Sequence, residues 1–334
     1  FIKGICLCFF MGKTNFFLAI FFLSVFAAVF FLFFFITACS MNKIPEEVSD
    51  EVLVFFCPDD RCDLVLERLI LNSKDSVHCA FFDLKLKNVI FALEKQSKNI
   101  DVKLVVDADN KKEVNHLDFV VFDRSSRFMH NKFCIFDDEI VLTGSFNPTE
   151  RGAFKNNNNV VVIKSSFLAK NFEAEFSELW NGIFGKGNSV FYPKIIFNGF
   201  LVENYFCPED WCGNKILYLL DSANESIKFM IFSFTHKAIA EVIVKKSLQN
   251  VSVSGIQEKS QNSVWNVYSF FKENNIDVVW DGNNANMHHK VFIIDDKITI
   301  TGSFNPSKNA DIYNDENIIT VSYTHLTLPT KRIV

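Results

Sequence analysis

Short apolar runs alternate with longer amphipathic segments along most of the chain, and the alternation is played out twice. In the first pass, apolar spacing predicts helices over Leu64–Asn72 and Val89–Lys95. Strands are predicted over Val77–Phe82, Val102–Val106, Phe119–Phe122, Phe133–Phe136 and Ile140–Thr143. In the second pass, Ile216–Ala223 and Ala238–Gln249 have helical spacing. Ile227–Phe234, Val251–Ile256, Ile276–Trp280, Val291–Ile294 and Ile298–Thr301 have strand character, the last two joined by an Asp295-Asp296-Lys297 turn. An Asn-rich stretch entering an apolar strand ends each pass, at Asn156–Ile163 and Asn314–Val321. After the first of these, Phe167–Phe184 has the apolar spacing of a packed helix. The expected fold is α/β, with two homologous halves, each a mixed β-sheet flanked by helices.

The two halves share words as well as rhythm. Met129–Thr149 reads MHNKFCIFDDEIVLTGSFNPT and Met287–Ser307 reads MHHKVFIIDDKITITGSFNPS. FFCPDDRC at Phe55–Cys62 is echoed by YFCPEDWC at Tyr205–Cys212. Cys207 follows Cys57 by 150 residues and His288 follows His130 by 158, so the second half is longer between these landmarks. Periods this long are not solenoid units, which run about 20–50 residues. Residues 47–185 and 186–321 are therefore expected to be two related halves.

The repeated words carry reactive groups. His130 and Lys132, like His288 and Lys290, are two apart on a strand and point to one face. Asp137 and Asp295 lie five residues beyond the lysines, at strand ends. Ser145 and Asn147, with Ser303 and Asn305, follow the next strand and can close around the same point. Cleaving a phosphodiester needs a nucleophile, an acid for the leaving oxygen, and positive or donor groups for the phosphoryl oxygens. Histidine serves in either of the first two roles. The lysines suit the phosphoryl charge and the serines and asparagines suit hydrogen bonding. The aspartates are candidates to orient imidazoles. Because the lysines bring positive charge, the scheme calls for no metal and no cofactor.

These residues resemble the phospholipase D superfamily, whose HxKxxxxD motif appears as His130-Lys132-Asp137 and as His288-Lys290-Asp295. Two copies, each followed by Gly-Ser-Phe-Asn, make the resemblance specific, and it covers Val52–Val321. The resemblance implies one composite active site between the halves and a two-step, metal-independent reaction through a covalent phosphohistidine. By analogy, His130 is the expected nucleophile and His288 the expected general acid. The family often carries a glutamate after the Asn-rich stretch, thought to orient the opposite half's histidine. Glu316 occupies that place in the second half and Asn158 in the first, so the two histidines are expected to be held unequally. His78, His116, His236 and His325 are read as ordinary core or surface residues, and His289 as a spacer on the opposite strand face.

The N-terminal segment places the expected enzyme at a membrane. Phe1–Phe10 precede Met11 and read as an upstream extension. Residues 11–39 carry Lys13, then 21 uncharged residues from Phe16 to Ile36, then Ile36-Thr37-Ala38-Cys39. This order fits an export signal. Its last four residues resemble a bacterial lipoprotein signal, with Cys39 as the lipidated residue. An uncleaved anchor is the alternative, since the run is long enough to span a bilayer. Either places the halves outside the cytoplasm, because Lys13 stays inside. Residues 322–334 have no counterpart in the first half and read as a non-native tail standing where a C-terminal helix is expected.

Charge and cysteines refine this. A net charge of −5 argues mildly against a dedicated nucleic-acid binder. The matched pairs Cys57/Cys62 and Cys207/Cys212 are candidate local disulfides, with buried thiols or one shared zinc site as alternatives. Pro58-Asp59-Asp60 and Pro208-Glu209-Asp210 suit a helix first turn. The leading expectation is a membrane-attached phosphodiesterase acting on phospholipid head groups, as a monomer with pseudo-twofold halves. A nuclease acting on DNA or RNA, a phosphatidyltransferase of cardiolipin synthase type, and a non-catalytic binding lipoprotein are the alternatives.

Overall fold

The chain enters through a two-residue strand, β1 (Glu46–Glu47), which joins the sheet of the second half and not that of the first. The computed structural model describes residues 43–49 and 52–323. The first sheet holds β2 (Val52–Cys57), β3 (Ser76–Phe81), β4 (Asp101–Val106), β5 (Val120–Phe122), β6 (Lys132–Phe136), β7 (Ile140–Gly144) and β8 (Asn158–Lys164). Their order is β2-β8-β7-β6-β3-β4-β5. The second holds β9 (Lys194–Phe197), β10 (Phe200–Cys207), β11 (Ser226–Ile231), β12 (Ser252–Gln257), β13 (Asp277–Trp280), β14 (Lys290–Ile294), β15 (Ile298–Gly302) and β16 (Glu316–Ser322). With β1 its order is β1-β9-β10-β16-β15-β14-β11-β12-β13. Both sheets are mixed: β3-β4-β5 and β11-β12-β13 are parallel, and the pairings through β6–β8 and β14–β16 are antiparallel.

The helices are α1 (Cys62–Asn72), α2 (Lys87–Gln96), α3 (Glu150–Phe154), α4 (Ser166–Trp180), α5 (Cys212–Asp221), α6 (Lys237–Leu248), α7 (Tyr268–Glu273) and α8 (Lys308–Ile312). Leu66 and Ile70 of α1 and Val89 and Leu93 of α2 bury one face of the first sheet against Val77, Phe81 and Leu104. Ile216 and Leu220 of α5 and Ile239 and Ile243 of α6 do the same for Ile227, Phe229 and Ile231. Helix α4 is different. It starts at a capping Ser165, whose hydroxyl accepts from the Leu168 N–H. Its Leu168, Phe172, Phe176 and Leu179 pack on Phe133 and Ile135 of the first sheet together with Val202, Phe206 and Ile319 of the second. This shared core makes the described residues from Pro45 onward one compact unit. On the second sheet, a depression of about 380 Å³ lined by Met230, Ile256, Val279 and Ile293 is not covered by a helix among the described residues.

Several details differ from expectation. Pro58-Asp59-Asp60 is a turn ahead of α1, and Asp60 accepts the Phe56 N–H at 2.8 Å. The expected local pairs are present, with Cys57 bonded to Cys62 and Cys207 to Cys212. Cys79 and Cys134, which sequence placed on separate apolar strands, face each other across β3 and β6 and form a third disulfide. Strand β16 runs through Ser322, opposite Leu201, so the last residues continue the sheet one step past the expected boundary. The expected upstream extension, the export segment with Cys39, and the tail beyond Tyr323 lie outside the described residues. No helix among the described residues is long and apolar enough to cross a membrane.

Candidate active site

The two repeated words meet at the junction of the sheets. Before β6, the Met129 N–H donates to Asp107 at 3.1 Å and to Asp123 at 3.2 Å, fixing where the strand begins. The His130 N–H then donates to the Asp315 carbonyl at 2.9 Å, just ahead of β16. In the other half, Glu258 accepts the Met287 N–H at 2.7 Å and the His288 N–H donates to the Asn157 carbonyl at 2.8 Å, just ahead of β8. Each histidine is thus hung on the opposite half by backbone bonds. Alternation along the strand puts His130 and Lys132 on one side and Asn131 on the other, and likewise His288 and Lys290 against His289.

The glycine of each Gly-Ser-Phe-Asn word is a geometric requirement. Gly144 has φ +147° and Gly302 φ +143°, and a Cβ on either would lie 2.2 Å from the Asn159 or Asn317 carbonyl oxygen. Its absence lets the next residue close in. The Asn159 N–H donates to Ser145 Oγ at 3.0 Å and the Asn317 N–H donates to Ser303 Oγ at 2.9 Å. Each hydroxyl spends its own proton one residue earlier: Ser303 Oγ donates to Glu316 Oε2 at 2.6 Å, and Ser145 Oγ to Asn158 Oδ1 at 3.2 Å. The serines were expected to donate to a phosphoryl group. Instead they brace the groups that hold the histidines.

Those groups reach across. Glu316 Oε2 lies 2.8 Å from His130 Nδ1. Asn158 Oδ1 lies 2.9 Å from His288 Nδ1, which is also 3.0 Å from the Ser145 carbonyl. The Asn158 amide is oriented by donating to the Gly152 carbonyl at 3.0 Å. Both imidazoles therefore donate through Nδ1, and Nε2 is left for a substrate in each. The rings rest edge-on against matched phenylalanines, Phe82 with His130 at 4.9 Å and Phe232 with His288 at 4.6 Å between centroids. Lys132 Nζ donates to the His130 carbonyl at 2.6 Å and Lys290 Nζ to the His288 carbonyl at 2.8 Å. Each lysine spends one of its protons there. Asn147 Oδ1 and Asn305 Oδ1 are buried without a protein partner.

The motif aspartates sit elsewhere, which corrects the expectation that they orient imidazoles. Asp137 and Asp295 begin the hairpin turns at the far ends of β6 and β14, with φ +54° at both. Asp137 accepts backbone N–H groups of Lys74, Asp75 and Ser76 at 2.8–3.1 Å. Asp295 does the same for Asn224, Glu225 and Ser226. Each clamps a helix–strand connection, the one entering β3 in the first half and the one entering β11 in the second. His289 also departs from its expected role. It is buried and its Nδ1 lies 3.0 Å from Asn159 Oδ1.

A polar seam that sequence did not single out joins the halves behind the site. Thr143 Oγ1 donates to Asn317 Oδ1 and Asn159 Nδ2 donates to Thr301 Oγ1, both at 2.7 Å. Asn317 also donates to Asn131, which donates to Glu175 of α4. The signal was present, since Thr143 and Thr301, and Asn159 and Asn317, recur at the histidine spacing, and Phe82 and Phe232 at the cysteine spacing.

Burial sets the electrostatics. It drives His130 and His288 well below the ordinary imidazole range, helped by the charges of Lys132 and Lys290. Lys132 is pushed down to about 7 by burial, against the pull of Glu316 and Asp107. Lys290 is lowered by burial and by Lys132. Glu316 is raised to about 8 by burial, opposed by Lys132 and Ser303. A ligand-free site of this kind is short of negative charge, and an anion between the lysines offsets their desolvation. The arrangement can bind a tetrahedral anion and present two imidazole Nε2 atoms to it.

Residues 66–180 and 216–331 match the family described as cardiolipin synthase, PLD-like domain. A mitochondrial cardiolipin hydrolase of Xenopus tropicalis is 28% identical over 150 residues, covering 41% of this chain and 71% of that protein. A phospholipase D of Rickettsia typhi is 31% identical over 122 residues, covering 36% of this chain and 59% of that protein, so under two thirds of its length is spanned. The crystal structure of a phosphatidylserine synthase of Haemophilus influenzae superposes with a TM-score of 0.63 at 12% identity, over 81% of this chain and 82% of that one, a likeness of fold. The chain belongs to the phospholipase D superfamily, with one PLD-like domain in each half.

Proposed function

We propose that the chain hydrolyses the phosphodiester of phospholipid head groups, with His130 as nucleophile and His288 as general acid. The observation that carries the assignment is the unequal support of the two rings: a carboxylate behind His130 and a neutral amide behind His288. His130 Nε2 attacks phosphorus, and the head-group alcohol departs with the Nε2 proton of His288, whose ring the bound phosphate anion keeps doubly protonated. The phosphorylated imidazole is cationic, and Glu316 stabilises that charge through Nδ1. His288, lacking a carboxylate, stays the weaker base and hence the better proton donor. In the second step His288 takes a proton from water, the hydroxide attacks phosphorus, and His130 leaves. Lys132 and Lys290, with the amides of Asn147 and Asn305, hold the non-bridging oxygens in this reading.

Relatives called phospholipase D and cardiolipin hydrolase support a phospholipid substrate, as does the apolar N-terminal run. The test is to incubate the full chain separately with phosphatidylcholine, cardiolipin and single-stranded DNA. Head-group release or cardiolipin cleavage is expected, and it survives EDTA because lysines carry the charge. Cleavage of DNA alone overturns the substrate, and phosphatidyl transfer to an added alcohol with no hydrolysis overturns the reaction.

A further inference from the structure

Apolar side chains stand in solvent on the face that carries the histidines. The most exposed are Val264 and Trp265, at 93% and 74%. They sit between two anchors that belong to the floor of the site. On one side is Glu258, which holds Met287 beside His288. On the other is Val267, whose N–H donates to the Phe234 carbonyl, two residues beyond the Phe232 ring that touches His288. The loop therefore springs from the rim of the catalytic cleft.

The opposite rim is built similarly. Phe128, two residues before His130, is 45% exposed and touches Phe82. Beside it the Arg127 guanidinium lies 4.3 Å from the centroid of the half-exposed Tyr313. Here an exposed aromatic carries a guanidinium.

We infer that this rim is a membrane-docking surface, with the Val264–Trp265 loop inserted among acyl chains and Arg127 at the level of the phosphates. Aromatic rings prefer the bilayer interface, and arginine pairs bidentately with phosphate there. The aliphatic tip separates this partner from a single-stranded nucleic acid, because Val264 has no π-face on which a base can stack. Docking in this pose turns the cleft towards the head groups, so a lipid need only rise slightly to bring its phosphodiester between the histidines. The inference rests on the phospholipid substrate proposed above and adds the surface that delivers it.

The test uses the full chain and the Val264→Ser/Trp265→Ser variant on two substrates: phosphatidylcholine vesicles, and a short-chain phosphatidylcholine kept monomeric in solution. The variant is expected to lose about ten-fold or more on vesicles and to keep wild-type turnover of the monomeric lipid. In parallel, vesicles with acyl-chain bromines are expected to quench a component of tryptophan fluorescence that Trp265→Phe removes. Equal losses on both substrates, or no quenching of Trp265, overturn the docking surface. So does quenching of Trp265 by single-stranded DNA in place of lipid. Quenching of Trp265 by brominated lipid with neither lipid hydrolysed upholds the docking surface and overturns the proposed substrate instead.

Discussion

Replacing Glu316 by Gln isolates the asymmetry on which the assignment of roles depends. The carboxylate accepts from His130 Nδ1 at 2.8 Å and from Ser303 Oγ at 2.6 Å. Glutamine has the same shape and keeps one acceptor, but it cannot neutralise a phosphorylated, cationic imidazole. A hydrogen bond to a charged group contributes about 1.5–3 kcal/mol and a neutral one about 1 kcal/mol. The site is buried, so the upper part of that range applies. Exchanging the charged bond for the neutral one that glutamine keeps therefore costs about 1–2 kcal/mol in the transition state and lowers kcat/KM by about 5- to 30-fold. Asn158→Ala removes a neutral bond from His288, whose Nδ1 retains the Ser145 carbonyl. Its expected cost of about 1 kcal/mol is about five-fold. The assay is kcat/KM for a soluble bis-aryl phosphate, with thermal melts confirming that both variants are folded. Glu316→Gln activity within about three-fold of wild type, or a larger loss from Asn158→Ala, refutes the reasoning.

Other predictions follow from the same geometry. His288→Ala is expected to lose far less activity on a diester with a good aryl leaving group than on a phospholipid, while His130→Ala is inactive on both; equal losses on the two substrates contradict the acid role. The buried Glu316 carboxyl has a folded-state value of about 8 against an ordinary 4.5, so its contribution to stability is fully present below about 4.5 and is lost as pH rises towards about 8. The ligand-free Glu316→Gln protein is therefore expected to gain in Tm over wild type across that window, and parallel melting curves contradict it. Asp137→Ala, which strips three backbone N–H groups of their acceptor, is expected to cost about 2–4 kcal/mol in urea unfolding. The activity per folded molecule stays close to wild type, and a large fall in kcat without loss of stability contradicts the clamp.

Much of the site was legible in the sequence because it is written twice. Strand alternation alone put His130 and Lys132 on one face, and the repeat identified Glu316 and Asn158 as unequal counterparts. The placement of Asp137 was not legible, because spacing along a strand does not tell which end faces the partner half. Its left-handed backbone and its three N–H donors come from the connection before β3, more than 60 residues earlier. The serines were misread for a related reason. Ser303 looks like a donor awaiting a ligand until Gly302 is seen to bring β16 close enough to occupy both ends of its hydroxyl. The Cys79–Cys134 bond needed a register that apolar runs do not specify. Boundary errors at β1 and β16 arose where strands of one half are completed by residues from another stretch of chain.

The central claim is that His130 becomes covalently phosphorylated while His288 moves the protons. It is tested most directly by quenching turnover in alkali, which preserves phosphohistidine, and mapping the modified peptide by mass spectrometry. The adduct is expected on the peptide carrying His130, to build up in His288→Ala and to be absent in His130→Ala. An adduct on His288, or rapid turnover of His130→Ala with no adduct on any histidine, contradicts the account.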